Sequence, residues 1–154
     1  MTIIPFALHL FIYGPFPEEL GWRGYVLDRL QARWNALVSS LNLGATWALW
    51  HLPLFFIKDT LFYSQGAWSP WFWLFMIQAI AVAVIFTWIF NNTRRRTLAA
   101  ILFHFMANLT PDLVNVTANT NFYSTLLWVI AAIVVVKFWG AGTLRRREHA
   151  RERR

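Results

Sequence analysis

Long apolar stretches separated by short polar interruptions dominate the chain. Runs near Trp34–Ile57, Trp68–Phe90, Leu98–Val116 and Phe122–Trp139 reach or approach the roughly 20 helical residues that cross a bilayer. A shorter apolar stretch, residues 3–14, is stopped by Gly14-Pro15-Phe16-Pro17. Proline removes a backbone donor and clashes with the preceding turn, so this stretch predicts a break or kink. Pro17 suits the first turn of a new helix running to about Arg33, with Glu18 and Glu19 at its dipole-favoured N-terminus. The polar side of that helix holds Arg23, Asp28 and Arg29. It therefore belongs inside a bundle or at the interface, not against lipid. Residues 58–67 read as a loop, 91–96 as a tight turn, and the end of the fourth run, at Pro111, Asp112 and Asn115, as irregular. The run from Trp68 to Phe90 has no charge and only Gln78 as a strongly polar side chain midway, which reads as a structural helix. The pattern predicts an all-α fold: a polytopic transmembrane helical bundle of about five to six helices. Residues 1–144 form one membrane-embedded domain and 145–154 a solvated basic tail in which His149 is inert.

Composition supports this reading. Of 154 residues 58% are hydrophobic and 14% charged, against about 25% charged in soluble domains. The net charge of +7 is not a nucleic-acid patch. Thirteen of the fourteen Lys and Arg fall at Arg23/Arg29/Arg33, at Arg94–Arg96, and at Lys137 with the C-terminal tail. With the four runs as helices, these groups share one side of the membrane. The positive-inside pattern assigns that side, with the C-terminus, to the cytoplasm. Trp34, Trp88 and Trp139 fall near this end and Trp68, Trp71 and Trp73 near the other, as an aromatic belt requires. There is no cysteine, which excludes disulfides, thiolate metal sites and cysteine nucleophiles. The chain reads as an integral membrane protein, with the lipid bilayer as partner and no nucleic acid.

Ionisable groups among membrane-grade helices mark function. Pro17-Glu18-Glu19-Leu20-Gly21-Trp22-Arg23 is such a place. Glu19 with Arg23, Trp47 with His51, and His104 with Asn108 each stand at i,i+4, which puts both members on one helix face. By the helical rise, Glu18 lies about 22 Å from Arg33, His51 about 24 Å from Asn35, Asn108 about 21 Å from Arg94 and His104 about 15 Å from it. These depths are compatible with one cluster near the bilayer midplane. Taken singly, the pairs read as a structural ion pair, a core histidine and interhelical hydrogen-bond glue. Together they supply what peptide hydrolysis needs. A carboxylate held off water can act as base, Arg23 can keep one Glu ionised, and His51 can share the base role or orient a water. His104 and Asn108 can donate to an oxyanion. The same set can instead bind zinc through Glu18, His51 and His104, although no HExxH occurs.

At these residues the chain resembles the CPBP family of intramembrane proteases, the CAAX protease and bacteriocin-processing family. Its pattern is EExxxR, then FxxxH, then HxxxN. The first stands here as Glu18-Glu19-Leu20-Gly21-Trp22-Arg23, the second as Trp47-Ala48-Leu49-Trp50-His51 with Trp for the usual Phe, and the third as His104-Phe105-Met106-Ala107-Asn108. Gly14-Pro15 and Gly24-Tyr25 also fit. The resemblance implies a membrane-embedded endopeptidase of the prenyl-protein (CAAX) type, acting on a membrane-associated protein or peptide. It makes Glu18 the water-activating residue with His51 assisting, and His104 with Asn108 the oxyanion donors. Glu19, Arg23 and Trp47 are supporting, and the chemistry is glutamate-type with zinc as the alternative cofactor. Family members usually carry further transmembrane helices before the first motif, whereas only seventeen residues precede Glu18 here. The chain thus reads as a fragment, a mis-assigned start or a shortened CAAX-protease-type core. The alternative function is a non-catalytic membrane partner, such as a bacteriocin self-immunity protein. A proton-coupled transporter would show internal pseudo-symmetry and more spans, and neither is evident.

Overall fold

In hydrocarbon every backbone N–H and C=O must find its partner inside the chain, and a helix does this within one segment. A computed structural model describes residues 3–114 and 118–145, and these are helical with short turns and no strand. The Asn115 position and the tail beyond Arg145, with His149, lie outside the described residues. The elements are α1 (Ile3–Tyr13), α2 (Pro15–Gly21), a π-helical turn (Trp22–Val26), α3 (Leu27–Gln31), α4 (Ala36–Trp50), a 3-10 turn (Leu52–Phe56), α5 (Leu61–Gln65), α6 (Pro70–Asn92), α7 (Thr97–Val114) and α8 (Ala118–Trp139).

Two of these, α6 and the Thr120–Trp139 part of α8, are long and apolar enough to cross a membrane. At 1.5 Å per residue α6 spans about 34 Å. It is the centre of the bundle, with α4 on one side and α8 on the other, while α7 packs against α6, α2 and α1. Side chains from Ala79 to Phe90 fill the interior almost continuously. Phe86 and Ala83 are fully buried. Gln78, the polar residue in the first half of this helix's apolar stretch, accepts a hydrogen bond from Thr125 Oγ1 of α8 at 3.0 Å. At the crossing of α4 and α6, a Cβ on Gly44 would lie 2.8 Å from Ala83 Cβ and 2.9 Å from Ile80 Cα. Only glycine lets the two backbones approach this closely.

The segments that follow α3, α6 and α8 meet at one end, whereas Arg23 of the first basic group is buried in the bundle and the tail beyond Arg145 lies outside the described residues. Asp28 pairs with Arg95. Asn91 donates to Gln31 Oε1 at 2.9 Å and to the Thr143 carbonyl at 2.8 Å. The segment after α8 turns at Gly140, whose φ of 77° is the left-handed form common after a helix end. Its carbonyls then cap the start of α4: Ala36 N donates to Gly142 O at 2.9 Å and Leu37 N to Ala141 O at 3.0 Å.

Three local features differ from the sequence expectation. The second apolar run is not one helix: α4 stops at Trp50 with His51 as its C-cap, because Pro53 can neither donate nor fit against the turn before it. The expected loop 58–67 contains α5, started by Thr60, whose Oγ1 accepts from Tyr63 N at 3.0 Å. In α7 the helix continues through Pro111 to Val114.

Candidate active site

The site is built where α2, α4 and α7 meet beneath α6. Gly14 ends the first helix and Pro15 opens the second, so Glu18 falls in a first turn, where the helix dipole favours a carboxylate. The π-helical turn follows, closed by Leu27 N bonding the Trp22 carbonyl. Such a turn inserts one extra residue and recurs at functional sites. Around it Glu19, Arg23 and Leu27 all point inward, each 0% exposed.

Arg23 Nη1 donates to Glu19 Oε1 at 2.8 Å. His104 Nδ1 meets the same oxygen at 2.9 Å. An ionised carboxylate only accepts, so His104 carries its proton on Nδ1 and presents Nε2. The guanidinium lies over Phe86 at 4.0 Å from the ring centroid and over Trp47 at 5.2 Å. Arg23 Nε and Nη2 and Glu19 Oε2 make no hydrogen bond among the described residues; aromatic faces take the cation instead. Burying an ion pair this incompletely bonded is a poor route to stability. It fixes the orientation of His104 and ties α2 to α7.

Trp47 is the second organising residue. Its indole Nε1 donates to Glu18 Oε2 at 2.8 Å. Its backbone carbonyl accepts from His51 Nδ1 at 2.8 Å, which again leaves Nε2 as the free imidazole nitrogen. Its ring stands edge-on to His51 at 5.6 Å and to His104 at 5.4 Å between centroids. Glu18, Glu19, Arg23, Trp47, His51 and His104 are therefore one connected cluster. Glu18 and His51 are half-buried, while Glu19, Arg23 and His104 are buried. Asn108 is one turn beyond His104 on α7, its side chain is exposed, and no described hydrogen bond joins it to the cluster.

Some residues of the site carry no sequence signal. Phe86 sits midway along an uncharged helix that reads as plain structure, yet it backs Arg23 and lies 5.5 Å from the His104 ring. Phe62 of α5 and Phe75 of α6 contact the His51 ring at 5.8 and 5.2 Å. A helix-face argument cannot foresee such contacts between distant segments. As for a metal, among the described residues no three His, Asp or Glu side chains stand where one ion can be held. Both carboxylates are also already engaged, Glu18 by Trp47 and Glu19 by Arg23 and His104.

Fold and site together define a class: a helical membrane bundle whose core holds a carboxylate pair and two histidines with free Nε2 atoms. Over residues 1–110 the chain matches the family described as type II CAAX prenyl endopeptidase Rce1-like. A curated relative, CAAX prenyl protease 2 of Methanococcus maripaludis, is 35% identical over 135 residues, covering 86% of this chain and 49% of the relative. The chain belongs to the Rce1-like family and is an integral membrane protein. It spans about half the length of that relative.

Two Arg–carboxylate pairs among the described residues make a direct comparison. Glu19→Ala leaves Arg23 buried without its counter-charge, at a cost of about 3–5 kcal/mol. Arg95→Ala breaks a half-exposed pair worth about 0–1 kcal/mol. Thermal unfolding in detergent should show a large loss for the first and almost none for the second; equal losses would contradict the assignment of Glu19–Arg23 as the structural link of the site.

Proposed function

We propose that the chain is an intramembrane endopeptidase of the CAAX prenyl protease type that hydrolyses a peptide bond of a membrane-associated protein or peptide in the course of its maturation. The observation that carries this reading is the convergence on Trp47: Glu18 on its indole, His51 on its carbonyl, His104 at its ring edge. A carboxylate and two imidazoles are thereby gathered around one residue.

In this reading Glu18 takes a proton from a water, whose oxygen adds to the scissile carbonyl carbon. His51, held through Nδ1, offers Nε2 to orient that water. His104, held by Glu19, faces the developing oxyanion; to donate through Nε2 its ring must carry both protons. Asn108, exposed one turn away, meets the substrate as the second oxyanion donor. The C–N bond then breaks and the proton held by Glu18 passes to the leaving amine. This reading routes no step through a metal, and what supports it is that Glu18 is engaged by Trp47 and Glu19 by Arg23 and His104. The relative's name points to CAAX-type prenylated peptides as the first substrates to try, with bacteriocin-leader peptides as the second class.

The test is cleavage of quenched peptides of both classes by the full chain in liposomes. Glu18→Gln should lower the rate by at least about 100-fold, as loss of a general base does, while a zinc chelator leaves the wild-type rate unchanged. Wild-type cleavage by Glu18→Gln would overturn the base assignment and favour the non-catalytic partner; loss of activity with chelator would overturn the metal-free chemistry.

We place the basic end in the cytoplasm of a bacterial plasma membrane, on the positive-inside rule. Because the chain has no cysteine, single substitutions report cleanly. A membrane-impermeant maleimide added to intact cells should label Ser64→Cys and spare Thr93→Cys; the reverse pattern would invert the topology.

A further inference from the structure

Resting on the proteolytic reading above, we infer that Trp47 is a positioning residue: its indole N–H holds Glu18 in the orientation in which the carboxylate can take a proton from water. The argument starts from the donor. An indole nitrogen can only donate, so the 2.8 Å bond fixes Glu18 Oε2 as its acceptor. The bond described for Glu18 uses that oxygen alone, which leaves Oε1 for the water. The terminal torsion of a glutamate is broad and nearly unhindered. A half-buried carboxylate at the open side of a bundle has many orientations unless something stops it.

Trp47 is built to stop it. The residue is 7% exposed, with Phe86 edge-on at 5.9 Å and the Arg23 guanidinium over its ring. Ala83, three residues before Phe86 on α6, meets Gly44 at the close crossing, so the turn of α4 that bears Trp47 has no room to shift. Because the carbonyl of Trp47 also holds His51, one rigid residue sets both the base and its assisting imidazole. In the sequence, position 47 reads only as an aromatic, Trp in place of the motif's usual Phe. The structure separates two roles there. Phe supplies a ring beside Phe86 and Arg23, but it has no N–H to give Glu18.

This separation makes the inference testable with small changes. Trp47→Phe deletes the donor and keeps an aromatic ring. Replacement of Trp47 by benzothienylalanine, in which sulfur stands for the indole N–H, deletes the donor and keeps the shape. Both are compared with wild type and Glu18→Ala for peptide cleavage in liposomes. The expected result is a fall in kcat of about 10- to 100-fold in both Trp47 variants, the scale of misplacing a reacting group, with KM within about twofold and unfolding temperature near wild type for the isosteric variant. The indole 1H–15N resonance lost in Trp47→Phe identifies Trp47, and it should move in Glu18→Ala. Wild-type kcat in both Trp47 variants, or a Trp47 resonance indifferent to Glu18→Ala, would overturn the positioning role while Glu18-dependent cleavage stands. A rise in KM with kcat unchanged would also overturn it, assigning Trp47 to substrate binding. Absence of any Glu18-dependent cleavage in wild type would instead overturn the proteolytic reading, and this role with it.

Discussion

A wholly buried ion pair, Arg23 to Glu19, is the interaction on which the rest of the site depends. Removing two charges from water costs several kcal/mol per ion, and mutual attraction repays this only with good geometry and further hydrogen bonds. Here one bond joins the pair, His104 adds a second to the same oxygen, and the remaining guanidinium nitrogens face rings. A bundle selected for stability alone would place apolar side chains there. What the pair supplies is order. Arg23 fixes Glu19, Glu19 fixes the tautomer and direction of His104, and α2 is locked to α7 across 85 residues of sequence.

The second layer of order comes from helix packing. Gly44 lets α4 approach α6 to a distance that no larger residue tolerates. This presses Trp47 against Phe86, and both rings then wall the Arg23 guanidinium. The buried pair and the close crossing therefore support each other: the aromatic faces that stand in for missing hydrogen bonds are held by the helix contact. Glu18 and His51 sit on the open side of this frame, half-buried, where a substrate and a water can reach them. The proposed chemistry uses these two together with the buried His104, which Glu19 and Arg23 hold, while Trp47 holds Glu18 and His51.

Much of this was legible in the sequence, for identifiable reasons. Long apolar runs gave the helical membrane bundle. The i,i+4 spacing of Glu19 with Arg23 and of Trp47 with His51 gave pairs that do touch. Three motifs on separate helices gave the convergence of Glu18, His51 and His104. The unread features are those without local pattern. The π-helical turn at Trp22–Val26 carries no marker residue, and Phe86 looks like any apolar residue of a central helix. The end of α4 at Trp50 had a marker in Pro53, but the apolar run through Phe55 and Phe56 masked it, since hydropathy does not distinguish a helix from a 3-10 turn. The exposure of Asn108 was invisible because i,i+4 spacing orders residues on a face without saying where the buried strip ends.

The central claim is that Arg23 and Glu19 act as one unit that sets the frame. The most direct measurement is a double-mutant cycle on Arg23→Met, Glu19→Gln and the double variant, read as unfolding free energy. The account predicts strong coupling: each single variant is far less stable than wild type, and the double variant recovers most of that loss, because no uncompensated charge remains buried. Losses that simply add would contradict it, since they would mean that the two residues act independently and the frame rests on other contacts.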